Sequence, residues 1–366
     1  MHNHYLADTT GIDSPALLVY PAIVKDNIRV AKEMIGDVKR LRPHVKTNKT
    51  AEVNQLMLDA GITKFKCATI AEAEMLGSLH APDVLLAYQP TGPKITRLIA
   101  LSKAYPATTF SCLIDNQASA MELSRAAQEN NIVIRVFIDL NTGMNRTGIQ
   151  PQDAVALIKY AKELKGIQIV GLHAYDGHIR DTDLATRQMK SDAAFALVQM
   201  LKEQVDPLFD HPLTIVAGGS PTYPTHVKRS GVECSPGTFI FWDWNYKHHA
   251  PEQAFEYGAI LITRVVSVID AVTVCVDLGH KSVAAENPLP RVYFLNAPEV
   301  TPVGQSEEHL VLRVPDSAQY PIGTVLYGVP VHICPTVALY ERVHVIENGK
   351  KVGEWKVIAR DRLLHY

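Results

Sequence analysis

Short apolar segments alternate with amphipathic stretches as far as about residue 240, and this alternation restricts the fold more than any other feature. Segments typical of strands lie at 15–20, 65–69, 83–88, 108–114, 133–140, 167–175 and 213–217. Stretches typical of helices lie at 23–34, 50–60, 71–79, 93–104, 117–130, 151–164 and 183–205. Strands separated by helices form βαβ units with parallel strands. The number of units predicts an α/β fold, a closed (β/α)8 TIM-like barrel rather than an open sheet.

The pattern changes after residue 246, where strand-like runs follow one another without long helices. These runs lie at 257–269, 271–277, 291–295 and 309–314, and Asn348-Gly349 separates two alternating runs as in a β-hairpin. We therefore expect a C-terminal all-β domain over 246–366 after a barrel over 21–245. An N-terminal segment, 1–20, could pack with the β-domain.

Composition predicts a cytoplasmic enzyme. A formal charge of −2 and a pI near 6.7 give no reason to expect nucleic acid or an anionic membrane as partner. No apolar run approaches the roughly 20 residues that span a bilayer, and the first residues do not resemble a signal peptide. Five dispersed cysteines without a CxxC pair favour a reducing compartment.

Basic side chains mark the segment over 41–50, which precedes a helix-like run. In an extended chain Arg42, His44 and Lys46 share one face. The carboxyl ends of strands are where α/β folds place their chemistry, so the three groups are candidates for a site. A solvated edge strand with a basic face is the alternative.

Other candidates also follow strands. His173 and Tyr175 share a face near the end of the strand over 167–175, and His178 follows in the loop. A histidine and a tyrosine there could stack on a flat ligand or be satisfied core residues. Arg146, in a polar loop over 139–148, could serve as a cation for an oxyanion or face solvent.

Two further motifs could bind an anion and a metal. The small-residue turn after the strand over 213–217 has the composition of a phosphate cradle, although such turns are common. Its residues are Gly218, Gly219, Ser220 and Thr222. In an extended chain His332 and Cys334 point the same way, and their nitrogen and sulfur donors favour zinc. A buried cysteine beside a histidine is the simpler alternative.

Taken together, these motifs resemble the D-threonine aldolase and D-serine dehydratase group, within the alanine-racemase-like enzymes of fold type III that use pyridoxal 5′-phosphate. The resemblance covers nearly the whole chain. It is carried by RPHVKTNK (42–49), DLNTGMNR (139–146), GLHAYDGH (171–178), GGSPT (218–222), PGTFIFWD (236–243), VDLGHK (276–281), SEEHL (306–310) and HICPTVALY (332–340). It implies a cofactor-binding barrel followed by a β-domain.

The resemblance also implies roles for individual residues. Lys46 would form the covalent imine with the cofactor, in preference to Lys49, which falls beyond the strand. Arg146 would bind the phenolic oxygen, Tyr175 the pyridine nitrogen, and the turn over 218–222 the phosphate. His332 and Cys334 would hold a divalent metal, zinc in preference to manganese or magnesium. Asn48 departs from the pattern, because many relatives have a second histidine there.

The resemblance implies a lyase of D-3-hydroxy amino acids and a homodimer. His-x-Cys favours a dehydratase, giving a 2-oxo acid and ammonia, because aldolases of the group more often have His-x-Asp. In the alternative aldolase reaction a base, with His178 as candidate, would take the hydroxyl proton, and glycine and an aldehyde would result. An amino-acid racemase without metal, a non-catalytic cofactor carrier and a metal hydrolase are the other classes considered.

Overall fold

The computed structural model describes residues 4–366, which form two compact units. The β-unit comprises the described residues as far as Val30 together with Thr47–Val53 and Thr238–Arg360. The barrel unit comprises Ala31–Lys46, Asn54–Gly237 and Asp361–Tyr366. Each unit is therefore assembled from separate stretches of the sequence.

Strands and helices have the following bounds. The strands are β1 (Ala16–Val19), β2 (Lys64–Cys67), β3 (Asp83–Leu86), β4 (Thr109–Ile114), β5 (Ile134–Leu140), β6 (Ile167–Ala174), β7 (Thr214–Ala217), β8 (Val232–Cys234), β9 (Ala259–Asp270), β10 (Thr273–Val276), β11 (Val292–Phe294), β12 (Thr301–Gln305), β13 (Leu310–Arg313), β14 (Val325–Pro330), β15 (Arg342–Glu347) and β16 (Lys350–Lys356). The helices are α1 (Pro21–Ile35), α2 (Ala51–Asp59), α3 (Ile70–Ser78), α4 (Pro93–Ala104), α5 (Gln117–Glu129), α6 (Ala154–Lys162), α7 (Leu184–Val205), α8 (Tyr223–His226), α9 (Trp244–His249) and α10 (Ile333–Val337). Within residues 4–366 no helix is long and apolar enough to cross a bilayer.

The barrel unit is built on parallel strands in the order β2-β3-β4-β5-β6-β7-β8, seven within the described residues. Several helices between them begin at side-chain caps: Thr69, Asn116 and Asp183 accept backbone N–H groups at the starts of α3, α5 and α7. The predicted α/β class with a separate β-domain is confirmed.

The eighth position of the barrel is filled by an irregular segment rather than by a regular strand. Parallel bridges join Leu41 to Cys234 on β8 and His44 to Lys66 on β2. The amide of Lys66 donates to the carbonyl of Pro43 at 2.8 Å. Pro43 has no N–H to donate, which limits the ladder that this segment can form. The segment that leads to Lys46 thus lies between β8 and β2.

Apolar side chains of the parallel strands form one layer of buried core, composed of Leu85, Leu113, Phe137, Val170 and Val216. Gly171 belongs to this layer for a steric reason. A Cβ atom there would lie 2.3 Å from the carbonyl oxygen of Thr214 and 2.5 Å from the Phe137 ring. Glycine therefore allows the ring of Phe137 to pack against β6.

A charged group lies in the same unit. Arg42, only 1% exposed, donates to Glu233 at 2.7 Å and through both terminal nitrogens to Asp83 at 2.7 and 3.1 Å. Because the guanidinium is buried and paired, the alternative of a solvated edge strand is wrong. Two carboxylates compensate the burial of this cation.

The β-unit contains, within the described residues, a nine-stranded sheet that includes β1 and β9–β16. In it β1 pairs antiparallel with β9 and parallel with β15. The predicted hairpin is present between β15 and β16, with Asn348 at φ 50° and Gly349 at φ 73°. Positive φ at both turn positions explains why Asn-Gly occurs here.

The last residues, Asp361–Tyr366, belong to the barrel unit. Arg97 on α4 donates to the carbonyl oxygen of Tyr366 at 2.8 Å. The buried carboxylate of Glu74 on α3 accepts the amides of His365 and Tyr366 at 3.0 and 3.2 Å. These contacts hold the tail against α3 and α4.

Candidate active site

A cavity of about 650 Å³ lies in the barrel unit at the carboxyl ends of its strands. Four of the predicted cofactor residues line it: Lys46, Arg146, His173 and Tyr175. They reach it from the irregular segment, from the loop after β5 and from the end of β6. The structure therefore brings residues that are far apart in sequence onto one cavity.

The ring of Tyr175 is surrounded by cations. Its centroid lies 6.0 Å from Nζ of Lys46, 5.6 Å from Nζ of Lys66 and 5.1 Å from Cζ of Arg146. Cations attract the face of an aromatic ring, and together they raise the local potential for an anion. The cavity is thus suited to a flat, negatively charged ligand.

His173 is held by a buried carboxylate. Its Nδ1 atom lies 2.7 Å from Oδ1 of Asp139, whose Oδ2 accepts hydrogen bonds from Thr147 at 2.9 Å and Gln89 at 2.8 Å. Burial would raise the pKa of Asp139, but its hydrogen bonds, the one with His173 first among them, hold it below its ordinary value. The ionised Asp139 therefore favours the tautomer of His173 with its proton on Nδ1.

The other ring nitrogen of His173, Nε2, lies 3.4 Å from Nζ of Lys66. Burial lowers the pKa of Lys66 to about 7, and the charge of Lys46 acts in the same direction. Burial and the charge of Lys66 also lower the pKa of His173. Near neutral pH the imidazole is therefore neutral, and its Nε2 lone pair faces the lysine.

The predicted phosphate turn follows β7 and is packed tightly. Gly218 has φ 75°, and a Cβ atom there would lie 2.5 Å from the ring of His226. A Cβ atom on Gly219 would lie 2.9 Å from the ring of Tyr175. Both positions thus require glycine, and Tyr175 lies against the turn as well as lining the cavity.

Two hydroxyl groups of this turn, those of Thr222 and Ser220, form hydrogen bonds within the protein. The Thr222 hydroxyl donates to Asp176 at 2.7 Å, so its proton is not available for a ligand. The Ser220 hydroxyl oxygen accepts the amide of Gly237 at 3.3 Å. Among the described residues the buried hydroxyl of Ser235, next to Ala217 in the sheet, has no hydrogen-bond partner. A glycine cradle with an unsatisfied hydroxyl beside it fits a phosphate group.

Two residues that the sequence offers as candidates, His178 and Lys49, do not line the cavity. His178 is exposed, and its ring lies so close to Gly143 that a Cβ atom there would be 2.7 Å from Nε2. Lys49, the alternative to Lys46, has its Nζ atom 3.4 Å from the carbonyl oxygen of Ala359. This placement supports Lys46, whereas the role of His178 as a base stays a prediction.

His332 and Cys334 lie close together, but not because the chain is extended. The strand β14 ends at Pro330, and Cys334 is in the first turn of the helix α10. The expectation of an extended segment is wrong here. Pro335 follows inside this first turn, where the missing N–H of proline has no helical partner to lose.

The pair has the donors of a metal site. Nδ1 of His332 lies 2.5 Å from Oε1 of Glu286, and the sulfur of Cys334 lies 3.1 Å from the Thr47 hydroxyl. Burial acts to lower the pKa of His332, but Cys334 and the nearby charges of Asp243 and Glu286 raise it to about 9. A position that favours positive charge suits a divalent cation.

The predicted metal site has two protein donors, His332 and Cys334. Within residues 4–366 no group of three or more histidine, cysteine or carboxylate side chains is arranged to hold a metal. The carboxylate of Asp243 accepts the amides of Tyr246 at 2.9 Å and Ile333 at 3.2 Å, which orients α10. Two protein donors would leave coordination positions for water and substrate, as a catalytic ion requires.

Several residues of this cavity were not predicted from the sequence: Lys66, Gln89, Asp115, Thr147 and Arg362. Asp139 was not predicted either, although this residue begins one of the motifs that carry the resemblance. A lysine within the short strand Lys64–Cys67 was a signal for Lys66, since buried lysines are rare without a reason. Nothing in the sequence indicates that the tail carrying Arg362 reaches a cavity.

Several known proteins are similar to this chain over nearly its whole length. A 3-hydroxy-D-aspartate aldolase of Paracoccus denitrificans (strain Pd 1222) is 29% identical over 97% of this chain and 94% of its own length. A D-threo-3-hydroxyaspartate dehydratase of Delftia sp. (strain HT23) is 24% identical over 94% and 97%. The solved structure of D-threonine aldolase from Filomicrobium marinum, 24% identical, has a TM-score of 0.87 over 95% of each chain. That likeness supports the fold.

Two protein families match separate parts of this chain. Residues 259–346 match the family described as "Putative serine dehydratase domain". Residues 21–243, more than half of the chain, match "Alanine racemase, N-terminal domain". The resemblance seen in the motifs is thereby confirmed, and the chain belongs to the alanine racemase N-terminal domain family.

Proposed function

We propose that this chain is a pyridoxal 5′-phosphate- and metal-dependent lyase that removes water from a D-3-hydroxy amino acid, giving a 2-oxo acid and ammonia. The observation that carries the proposal is the convergence of Lys46, Arg146, His173 and Tyr175 on one cavity at the strand ends. Relatives that match over at least 94% of the chain, an aldolase and a dehydratase, support a lyase.

The residues of the cavity divide the work of holding the cofactor. Lys46 would bind it covalently, Arg146 would face its phenolic oxygen, and Tyr175 its pyridine nitrogen. Backbone amides of the turn over 218–222 and the Ser220 hydroxyl would hold the phosphate. When bound, pyridoxal 5′-phosphate supplies an electron sink for negative charge that develops at the substrate α-carbon.

Lys46 is the group that would move the proton. With the cofactor and substrate bound, the amine of Lys46 would take the proton from the substrate α-carbon. A neutral phenol such as Tyr175 is a weak partner for the pyridine nitrogen, so further help is needed when the hydroxyl group leaves.

His332 and Cys334 would provide that help by holding a divalent ion. The ion supplies positive charge that assists departure of the 3-hydroxyl group. Imidazole and thiolate donors favour zinc over manganese or magnesium, which prefer oxygen. The thiolate is also the reason to propose a dehydratase, because the aldolases of the group more often have aspartate at the position of Cys334.

Aldolase activity is the second candidate, and a specific observation favours it: the 3-hydroxy-D-aspartate aldolase is more similar to this chain than the dehydratase, at 29% against 24% identity. Cleavage of the Cα–Cβ bond requires a base for the hydroxyl proton. His178 is the candidate, although it is exposed and does not line the cavity.

Product analysis distinguishes the two reactions. The purified protein is incubated with D-serine, D-threonine and D-threo-3-hydroxyaspartate, with and without added zinc, and the products are identified by mass spectrometry. A 2-oxo acid and ammonia support the proposal. Glycine and an aldehyde without any 2-oxo acid would replace the dehydratase by the aldolase, and interconversion of enantiomers that withstands chelation would indicate a racemase.

We also propose that the protein acts as a cytoplasmic homodimer. The cysteines support a reducing compartment, because four of the five are buried thiols and none is in a disulfide among the described residues. The dimer rests on the likeness to the family. Light scattering after size-exclusion chromatography would reject it by finding a monomer at micromolar concentration.

A further inference from the structure

Lys66 is a second amine in the cavity of the barrel unit, and none of the proposed roles uses it. It lies on β2, is 2% exposed and lines the cavity with Lys46 and Arg146. Its Nζ atom lies 3.4 Å from Nε2 of His173 and 5.6 Å from the centroid of Tyr175. The side chain therefore reaches the same two residues that we assign to the cofactor.

The buried carboxylates around Lys66 already have partners. Asp139 accepts from His173, and Asp176 accepts from Thr222 at 2.7 Å and from His226 at 2.8 Å. Within the described part of the chain, Lys66 forms no ion pair with a carboxylate. A buried ammonium without a counter-ion is unfavourable, so the amine tends to lose its proton unless an anion enters the cavity.

The charged groups that act on Lys66 come from several elements of the unit. Lys46 and Arg42 disfavour its proton, whereas Asp139 and Asp176 favour it. His173, which is neutral, accepts at Nε2. The balance leaves Lys66 with a pKa of about 7, where a modest change of local charge alters its protonation.

We propose that Lys66 is a positioning residue whose counter-ion is the anionic cofactor, so that binding of a phosphorylated pyridine completes the protonation of Lys66. This inference rests on the proposed function, because it takes pyridoxal 5′-phosphate as the ligand. The lone pair of the neutral amine takes a proton from the buffer as the anion enters. The resulting ammonium donates to Nε2 of His173 and fixes the imidazole, while Asp139 holds its other side.

The sign of the effect follows from the protonation states. With a pKa of about 7, Lys66 is about half neutral in the free protein at pH 7, and under this proposal it is fully charged in the complex. Binding at pH 7 therefore takes up about half a proton at this site. At pH 5.5 Lys66 is already charged before binding, so the uptake disappears.

The probe is pyridoxine 5′-phosphate, which lacks the aldehyde and binds without a covalent bond. It is titrated calorimetrically into the full-length protein after removal of the cofactor, in two buffers that differ in ionisation enthalpy. The difference between the two heats gives the number of protons taken up. Protonation of the probe's own phosphate is common to all variants and cancels when they are compared.

Three variants make the measurement specific. Lys66→Met removes the titrating amine, and Lys66→Arg keeps a charge that cannot titrate. Lys103→Met removes an exposed lysine of α4 that donates to Asn130 at 2.8 Å, and serves as the control. At pH 7 we expect the wild type and Lys103→Met to take up about half a proton more than either Lys66 variant. At pH 5.5 we expect all four proteins to take up the same number of protons. We also expect Lys66→Met to bind the probe about tenfold more weakly at pH 5.5.

Equal proton uptake by the wild type and the Lys66 variants would overturn the inference. If Lys66→Met does not fold, as judged by circular dichroism, Lys66→Arg alone decides, since it retains length and charge. Failure of the wild type to bind pyridoxine 5′-phosphate is a different result: it would reject the proposed cofactor, and with it the premise of this inference.

Discussion

Nδ1 of His173 and Oδ1 of Asp139 are 2.7 Å apart, and both side chains are buried in the barrel unit. The second oxygen of Asp139 accepts from two donors, Thr147 and Gln89. An asparagine at 139 could satisfy those donors only with its carbonyl oxygen. Its NH₂ group would then face Nδ1 of His173 and force the imidazole proton onto Nε2, toward Lys66.

Asp139→Asn should therefore disturb the site without changing its shape. We expect kcat/KM to fall by about 100-fold, because the wrong tautomer of His173 opposes the Lys66 amine. Nitrogen-15 NMR of the histidine side chains should show the proton moving from Nδ1 to Nε2. The exposed Asp210→Asn is the control, and an unchanged tautomer in Asp139→Asn would refute the assignment.

Lys46→Ala should abolish covalent binding of the cofactor. The wild type should show a band near 420 nm, typical of a lysine Schiff base, that disappears on borohydride reduction, and the reduced peptide should carry its label on Lys46. Lys49→Ala is the matched control, since Lys49 does not line the cavity. A label that persists in Lys46→Ala would mean that another amine, with Lys66 the nearest candidate, forms the bond.

Cys334→Ala should lose the divalent metal. We expect metal content, measured by inductively coupled plasma mass spectrometry, to fall by at least tenfold, and lyase activity to fall with it. Prolonged treatment with a chelator should reproduce the loss in the wild type, and zinc should restore activity there but not in the variant. Cys275→Ala, a buried thiol on β10, is the control. Full metal occupancy in Cys334→Ala would reject the predicted ligand pair.

Arg362→Ala should change which substrate is preferred. Arg362 lines the cavity from the C-terminal tail, and its guanidinium could pair with a second carboxylate of the substrate. We expect kcat/KM for D-threo-3-hydroxyaspartate to fall by about 10- to 100-fold, and that for D-serine by less than about threefold. Arg362→Lys should be intermediate, and the exposed Arg313→Ala should leave both values unchanged. A similar loss for both substrates would exclude this role.

Lys66→Met should stabilise the cofactor-free protein near neutral pH. Between pH 7 and its ordinary pKa of 10.5, Lys66 binds a proton in the unfolded chain that it does not bind when folded. The free energy of unfolding therefore rises with pH across this window. The destabilisation that the buried Lys66 causes is greatest at and below pH 7. Because the pKa of Lys66 falls from 10.5 to about 7 on folding, we expect Lys66→Met to raise the free energy of unfolding by about 4 kcal/mol at pH 7 and by about 1 kcal/mol at pH 10. Urea denaturation at both pH values measures this, and destabilisation at both would contradict it.

Local sequence signals were sufficient for much of the fold. Pro93 fixes the first turn of α4, whose bounds are those predicted, and Asn348-Gly349 fixes a hairpin through positive φ angles. The strand β8 was not predicted, because Val-Glu-Cys is too short to show a period. The strand β14 was not predicted either, because Gly328 interrupts its apolar run.

The site was predictable only in part. The motifs place Lys46, Arg146, His173 and Tyr175 at strand ends, and a barrel brings strand ends together. Lys66 could not be assigned, because its significance depends on burial and on the partners that Asp139 and Asp176 already have. The close approach of His332 and Cys334 was expected from an extended chain but arises from a helix turn.

The paired guanidinium of Arg42 has a consequence for Lys46, the proposed Schiff-base lysine, which follows four residues later. The segment that carries Lys46 lacks a continuous ladder of backbone hydrogen bonds to its neighbouring strands. The bidentate contact of Arg42 with Asp83 and its contact with Glu233 therefore hold one end of this segment in place. A lysine at 42 would keep the charge but lose the bidentate contact. The orientation of the Lys46 side chain thus depends on ion pairs that Arg42 forms away from the cavity. Variants of this protein that are designed to keep that orientation should retain Arg42, Asp83 and Glu233.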